Sequence, residues 1–343
     1  NGGYYEVPAD ADCSSWEKPE KGLGLVYWDY YHDDEKSYEK MLNIHKQLSY
    51  DVIFAGGSWI WNGIAPNYSK TFACTKAALQ TCKKYLMKEV LCTAWMDNGA
   101  ETPVDAVWPG VALVCTFLAS IWNTNEKVLE EEFKECVGGN LKDFMALDAF
   151  DSLFLNGKAN QEAQNPSKYL LYQDPLAGIF DQEVVKNGVD TGAYYKKLKK
   201  MVEICQENSP EYAALFAYYE KLAAVLADKA DLGVRMKAAY DKKQLLALKE
   251  ICEKEIPETI QNLEEMKVLR EDLWMSEAKP FGYELMDVKL GAVITRLNST
   301  IRRTKKYLDG SIHAWRNWKK RDFHTLRKMR TNVKTAGARS LVE

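Results

Sequence analysis

The stretch LGLVYWDYYHDDEK, residues 23–36, determines how the rest of the chain is interpreted. It begins with a short apolar run of the kind that forms a buried strand, and such a run normally gives way to turn residues. Here the run continues directly into four rings and a carboxylate, which are Tyr27, Trp28, Asp29, Tyr30 and Tyr31. The pattern indicates a strand whose carboxyl end lines a functional surface.

Two further segments repeat this pattern. DVIFA (51–55) precedes GGSWIWNG (56–63), and VLCTA (90–94) precedes WMDNGAE (95–101). The hydrophobic periodicity predicts a helix after each strand, at about 34–48, at 69–85 with Ser69 as N-cap, and at 103–122. Short apolar strands that alternate with helices predict an α/β fold with a parallel sheet covered on both faces. The carboxyl ends of such strands open on one side of the sheet, where ligands bind.

From about residue 125 the sequence predicts one helix after another, at 125–155, 191–207, 210–240, 242–274 and 283–308. We therefore expect an α/β region at 1–124, an all-α region at 125–310 and a basic tail at 311–343. Heptad-like stretches such as 251–269 are more typical of helices that pack within their own chain than of a coiled coil. The basic tail is more typical of an exposed, partly disordered segment than of an arm that binds nucleic acid.

The composition argues against several classes of function. A net charge of −3 gives no electrostatic basis for binding nucleic acid or an anionic membrane. The most apolar stretch, 104–122, contains Asp105 and Pro109, so it predicts a packed helix and no membrane span. Eight cysteines without a C-x-x-C pair predict reduced, buried thiols, as in cytoplasmic proteins. Neither they nor the four histidines have metal-ligand spacing, and no nucleotide-binding loop is present, so we expect no metal and no cofactor.

Aromatic rings interleaved with carboxylates at the strand ends are typical of carbohydrate recognition. One face of a pyranose presents C–H bonds that pack on an indole ring, and its hydroxyls hydrogen-bond to carboxylates. Any one of these rings alone is more often a packing residue at the end of a strand. Three strand ends that each bring a tryptophan to one side of the sheet favour a sugar site.

The motifs resemble those of glycoside hydrolase family 20. Tyr27-x-Asp29, FAGGSWIWNGIAP (54–66) and TAWMDNGAE (93–101) resemble the last three β/α units of its catalytic (β/α)8 TIM-type barrel. The similarity is greatest to bacterial exo-β-N-acetylhexosaminidases that carry an α-helical C-terminal domain. KYLLYQDPLAGIFD (168–181) and KPFGYELMDVKLGAVITRL (279–297) resemble stretches of that domain, so the likeness extends from about residue 23 to residue 310.

The resemblance implies hydrolysis of terminal non-reducing N-acetylglucosamine or N-acetylgalactosamine by substrate-assisted retaining catalysis. The implied catalytic residue is Tyr27, whose hydroxyl would contact the acetamido oxygen of the substrate. The implied substrate-binding residues are Asp29 at the pocket, Trp95 as a wall, Asp97 on the outer hydroxyls, and Trp59 or Trp61 as a second wall. The gluco or galacto preference and the linkage stay open.

One part of the family pattern has no counterpart. The family's Asp-Glu acid pair lies on an earlier strand, and Asp34-Glu35 is better explained as a helix start. We therefore expect the C-terminal portion of a β-N-acetylhexosaminidase, inactive alone, whose open sheet is completed by the missing N-terminal barrel half or by a homo-oligomer. The alternatives are a non-catalytic module for N-acetylglucosamine-type glycans and a helical interaction module.

Overall fold

The computed structural model describes residues 4–120 and 125–314. Its first region contains a parallel sheet of three strands in the order β1 (Leu25–Trp28), β2 (Val52–Gly57) and β3 (Val90–Thr93). The connecting helices are α1 (Glu35–Leu48) and α2 (Tyr68–Lys84). After β3 come a single turn, α3 (Asp97–Ala100), a 3-10 helix (Val104–Val107) and α4 (Trp108–Ala119). The predicted alternation of strands and helices is confirmed, and the chain also contains the expected large helical region.

The two faces of the sheet differ. Tyr27 and Phe54 are buried against α1 and α2, and the half-buried Val90 packs against α2 and α4. The opposite face, which we call the open face, carries the exposed Trp28 and Leu91, paired on either side of Ala55. Among the described residues only one face is covered, because α1, α2 and α4 all lie on one side; this differs from the usual parallel sheet and agrees with the expected open sheet.

The capping residues explain where the first two helices begin. Asp34 accepts hydrogen bonds from the backbone N–H and the hydroxyl of Ser37, so Asp34 and Glu35 are the expected helix start. The prediction of Ser69 as N-cap of α2 is wrong. Asn67 caps that helix by accepting from the N–H of Lys70, and Ser69 lies in the first turn, where it donates to Asp148.

The second region consists of helices. They are α5 (Glu126–Val137), α6 (Leu141–Met145), α7 (Pro166–Tyr172), α8 (Asp181–Asn187), α9 (Thr191–Asn208), α10 (Ala213–Lys229), α11 (Leu232–Asp241), α12 (Leu245–Glu250), α13 (Ile256–Glu277) and α14 (Glu284–Leu308). The predicted helix at 210–240 is thus divided into α10 and α11, whereas α12, a π turn at Ile251–Glu255 and α13 follow without interruption. Residues 315–343 of the predicted tail lie outside the described residues.

Helix α10 is the centre of this region, since it packs against both α9 and α13. The heptad-like stretch in α13 therefore packs within the chain, as expected. Ile64 and Tyr68, from the segment after β2, are fully buried in the same apolar core as residues of α9, α10 and α13. The loop that follows β2 is consequently built into the helical region. Within the described ranges, no helix combines the length and the apolar character needed to cross a membrane.

The cysteines, and His45 among the described histidines, have ordinary structural surroundings. All eight cysteines are free; Cys115 and Cys136 are exposed, contrary to a uniformly buried set. His45 bonds through Nδ1 to the carbonyl of Met41, within α1. Across the part of the chain that the structure describes, no group of three or more His, Cys, Asp or Glu residues could hold a metal ion.

Candidate functional site

Asp29, directly after β1, organises the first strand end. Its carboxylate is 1% exposed and accepts hydrogen bonds from the hydroxyl of Tyr27 at 2.7 Å and from the backbone N–H of Tyr31 at 2.9 Å. Nδ1 of His32 lies 2.7 Å from the same carboxylate. Both carboxylate oxygens are therefore engaged by protein groups.

Tyr27 lies behind the surface of the protein. Its side chain is 0% exposed, and its ring lies 5.0 Å from the ring of His45 and 5.6 Å from that of Phe54. Burial, followed by the charge of Asp29, raises the pKa of Tyr27 far above its usual value, so the hydroxyl stays protonated and donates to Asp29. This geometry fits a role for Tyr27 and Asp29 in positioning the end of β1. Direct sugar contact by Tyr27 or Asp29, as the resemblance implies, stays a prediction.

In front of these two residues lie four rings that we call the aromatic cluster: Tyr30, Tyr31, Trp59 and Trp61. The indoles of Trp59 and Trp61 stack with centroids 4.7 Å apart, and the ring of Tyr30 meets Trp61 edge-on at 5.1 Å. The indole N–H of Trp59 donates to the carbonyl of Tyr30 at 2.7 Å. The structure thus brings the strand ends of β1 and β2 together, as the sequence predicted.

The two candidate tryptophans of β2 occupy different places. Trp59 is buried between Tyr30, Tyr31 and the ammonium of Lys70, which lies 5.1 Å from its ring centroid. Trp61 lies over Gly57, where an added Cβ would come within 2.9 Å of its Cη2 atom. Because side chains alternate along a strand, Gly57 faces the same side as Ala55, which is the open face. Trp61 is therefore the indole that borders the open face.

Trp95, two residues after β3, also borders the open face. Its ring lies 5.6 Å from that of Trp28, and the two side chains are 39% and 36% exposed. Two indoles thus approach each other across the small residues of the central strand and remain accessible. The sequence placed Trp28 at the first strand end but not among the substrate-binding residues, although the two-residue period places it on the face opposite Tyr27.

Asp97 is exposed in the turn α3 and lies near the aromatic cluster. Burial, the neighbouring Tyr30 and the charge of Asp97 raise the pKa of Tyr31 to about 12. Tyr31 is 47% exposed, so its phenol and the carboxylate of Asp97 form a polar rim beside the indoles. The rim offers both a donor and a charged acceptor to a polar ligand.

The helical region supports the loop that carries Trp59 and Trp61. Lys70 donates from Nζ to the carbonyls of Tyr31 at 3.2 Å and Gln161 at 2.6 Å, and so bridges the site to residues 160–165. The amide of Asn62 donates to the carbonyl of Ala163, and that of Asn165 donates to the carbonyl of Asn62. No local pattern could have shown the contacts with residues 160–165, because their partners lie about 90 or more residues apart.

The comparisons with known proteins concern this helical region. The family model for the Glycoside Hydrolase 20C C-terminal domain matches residues 142–321, just over half of the 343-residue chain. The comparison with curated proteins finds no match.

Proposed function

The chain belongs to glycoside hydrolase family 20 through its 20C C-terminal domain, and on this premise we propose that it is part of a β-N-acetylhexosaminidase. The proposed substrate is a glycan that ends in non-reducing N-acetylglucosamine or N-acetylgalactosamine. The proposed site is the edge of the open face where Trp28, Trp61 and Trp95 lie, with Asp97 and Tyr31 as its rim.

The observation that carries this proposal is the exposed Trp28–Trp95 pair, with the exposed carboxylate of Asp97 two residues after Trp95. Single exposed apolar side chains are common on proteins, but contiguous exposed apolar patches often mark binding sites, and two adjacent indoles form such a patch. A pyranose ring covers an indole with its C–H face while its hydroxyls bond to a carboxylate such as Asp97, so one ligand satisfies both groups. Asp97 has the role that the family resemblance gives to it.

In the proposed reaction the acetamido oxygen of the substrate attacks the anomeric carbon and displaces the leaving oxygen, which takes a proton from a glutamic acid. Water then opens the oxazolinium intermediate, and the anomeric configuration is retained. The Asp-Glu pair that serves this step in the family has no counterpart among the motifs of this chain. Tyr27 and Asp29 support the end of β1 beneath the reacting sugar.

The open face also supports a proposal about assembly. Strands of a parallel sheet are normally covered on both faces, and unpaired edges invite further pairing. We expect the remaining β/α units of a barrel, or a second copy of the chain, to cover Leu91 and the rest of the open face, and to leave the indoles at the strand ends accessible to the sugar. Those units would bring the missing acid pair to the carboxyl ends of β1 to β3.

Calorimetric titration with N-acetylglucosamine tests the proposal. The wild-type chain should bind the sugar, and Trp95→Ala should weaken binding by about tenfold, in line with roughly 1–2 kcal/mol for a stacked ring. Trp16→Ala removes a similarly exposed tryptophan away from the strand ends and should leave the affinity unchanged. Sugar binding without release of p-nitrophenol from its N-acetylglucosaminide is expected of this chain alone; the same result in a protein that carries the whole barrel would fit a non-catalytic glycan-binding module. No sugar binding at all would refute the site and favour a helical interaction module.

A further inference from the structure

The turn α3, which follows Trp95 and begins with Asp97, has an unusual backbone. Asn98, Gly99 and Ala100 have φ values of 61°, 86° and 53°, so three successive residues lie in the left-handed region. Glycine adopts this region freely, but alanine rarely does, and runs of such residues are unfavourable for L-amino acids. Contacts outside the turn must therefore hold it.

Those contacts come from two helices of the helical region. Lys289, on α14, donates from Nζ to the carbonyl of Asn98 and forms an ion pair with Glu101 at 3.0 Å. Arg270, on α13, donates from Nη2 to the carbonyl of Ala100 at 2.9 Å. The carbonyls on either side of Gly99 are thus each bound by a cation that lies more than 150 residues away in sequence.

Arg270 is held in a buried position between α13 and the turn. Its side chain is fully buried; Nη1 lies 3.9 Å from the carboxylate of Glu277, the guanidinium lies 5.2 Å from the ring centroid of Trp274, and Nε has no hydrogen-bond partner within residues 4–120 and 125–314. A buried guanidinium with an unsatisfied donor costs folding free energy, so the contacts that it does make must hold it in place. The hydrogen bond that Arg270 does make is to the strained turn.

The far end of the same loop is also fixed by α13. The carboxylate of Glu277 accepts from the backbone N–H groups of Val104 and Asp105, at 3.2 Å and 3.3 Å. Residues 97–105 are therefore held at both ends by side chains of the helical region.

We propose that the helical region is a clamp for the turn that carries Asp97 and follows Trp95, with Lys289 and Arg270 as positioning residues. Both act through the backbone of Asn98 and Ala100, and neither needs to touch a ligand. The expected effect on sugar affinity rests on the proposed function, whereas the effect on the turn itself does not.

The test uses the full chain labelled with 5-fluorotryptophan and observed by ¹⁹F NMR, with the Trp95 signal assigned from Trp95→Phe. In Lys289→Met the Trp95 signal should shift or split, and Lys289→Arg, which retains the charge and the donors, should restore it. Lys305→Met removes an exposed lysine from the same helix and should give the wild-type spectrum. Affinity for N-acetylglucosamine should fall by about tenfold in Lys289→Met. This is the loss expected when the turn moves and the hydrogen bond between the sugar and the carboxylate of Asp97 is weakened.

A folded Lys289→Met variant with an unchanged Trp95 signal and unchanged sugar affinity would refute the clamp. Should this variant not fold, Lys289→Gln, which keeps a donor for Asn98 without the charge, carries the same comparison. A shifted Trp95 signal in a protein that binds no N-acetylglucosamine would support the clamp and refute the proposed function. Equal sugar binding in the wild type and in Lys289→Met, together with an unchanged Trp95 signal, would support the proposed function and refute the clamp.

Discussion

The ion pair between Lys168 and Glu101 gives the sharpest prediction about how the two regions are joined. Lys168 lies on α7 of the helical region, and Glu101 follows the turn α3 after β3. Their side chains are 3% and 1% exposed, and the charged atoms are 2.5 Å apart. The perturbation is Lys168→Met, which keeps the aliphatic stem but leaves the carboxylate with one cation fewer.

The structure sets the size of the expected effect. Removing one partner from a buried ion pair typically costs about 3–5 kcal/mol, because the other charge stays buried without compensation. Lys289 remains 3.0 Å from the second oxygen of Glu101, so the cost should fall near the lower limit, about 3 kcal/mol. Replacing Glu101 by Gln in the same protein should recover part of this loss, because the uncompensated charge disappears.

Urea denaturation followed by fluorescence measures the free energy of unfolding. The matched control is Lys254→Met, which breaks an ion pair with Glu250 whose side chains are 73% and 58% exposed. Exposed pairs contribute about 0–1 kcal/mol, so the control should unfold almost like the wild type. If Lys168→Met cost no more than Lys254→Met, the view that buried charges join the helical region to the end of β3 would be refuted.

Three further predictions concern the sheet, the core and assembly. Gly57→Ala should displace Trp61, cost about 1–3 kcal/mol and weaken sugar binding in calorimetry, whereas Gly291→Ala, with open space around it on a helix, should stabilise the chain by up to about 1 kcal/mol. Burial raises the pKa of Asp151 to about 7, so the folded state holds a proton that the unfolded state loses near pH 4, and stability should fall as pH rises from about 4 to 7. Asp151→Asn should flatten that slope in pH-dependent melts, and an unchanged slope would contradict the assignment. Light scattering should find the chain associated through its open face; a monomer of 39.2 kDa with a cooperative melt would contradict this.

The order of strands and helices was predictable because local signals agree with tertiary structure there. The apolar runs at β1, β2 and β3 are short, and each is followed by a periodic segment with a polar residue at its start. The wrong cap of α2 shows the limit of such signals. Asn67 and Ser69 are both good capping residues, and the choice depends on Asp148, which binds Ser69 from 79 residues away.

The candidate site was predictable in its composition but not in its orientation. The sequence placed rings and carboxylates at three strand ends, and the structure brings Trp59, Trp61 and Tyr31 together. The sequence alone could not show that Tyr27 faces the helices, because the orientation of Tyr27 depends on which side of the sheet the helices cover. Applying the two-residue alternation to Trp28 would have identified the exposed partner of Trp95.

The strained turn after β3 could not be read from the sequence. Asn98 and Gly99 favour a left-handed turn, but Ala100 does not, and its conformation depends on Arg270 far along the chain. Tertiary contacts decide such positions.

The central claim, that a sugar lies on the indoles of the open face, is tested most directly by titrating the 5-fluorotryptophan-labelled chain with N-acetylglucosamine and following the ¹⁹F spectrum. The signals of Trp28, Trp61 and Trp95 should shift in a saturable way, whereas that of Trp274, buried in the helical core, should not move. Saturating sugar that leaves the three open-face signals unchanged would contradict the account.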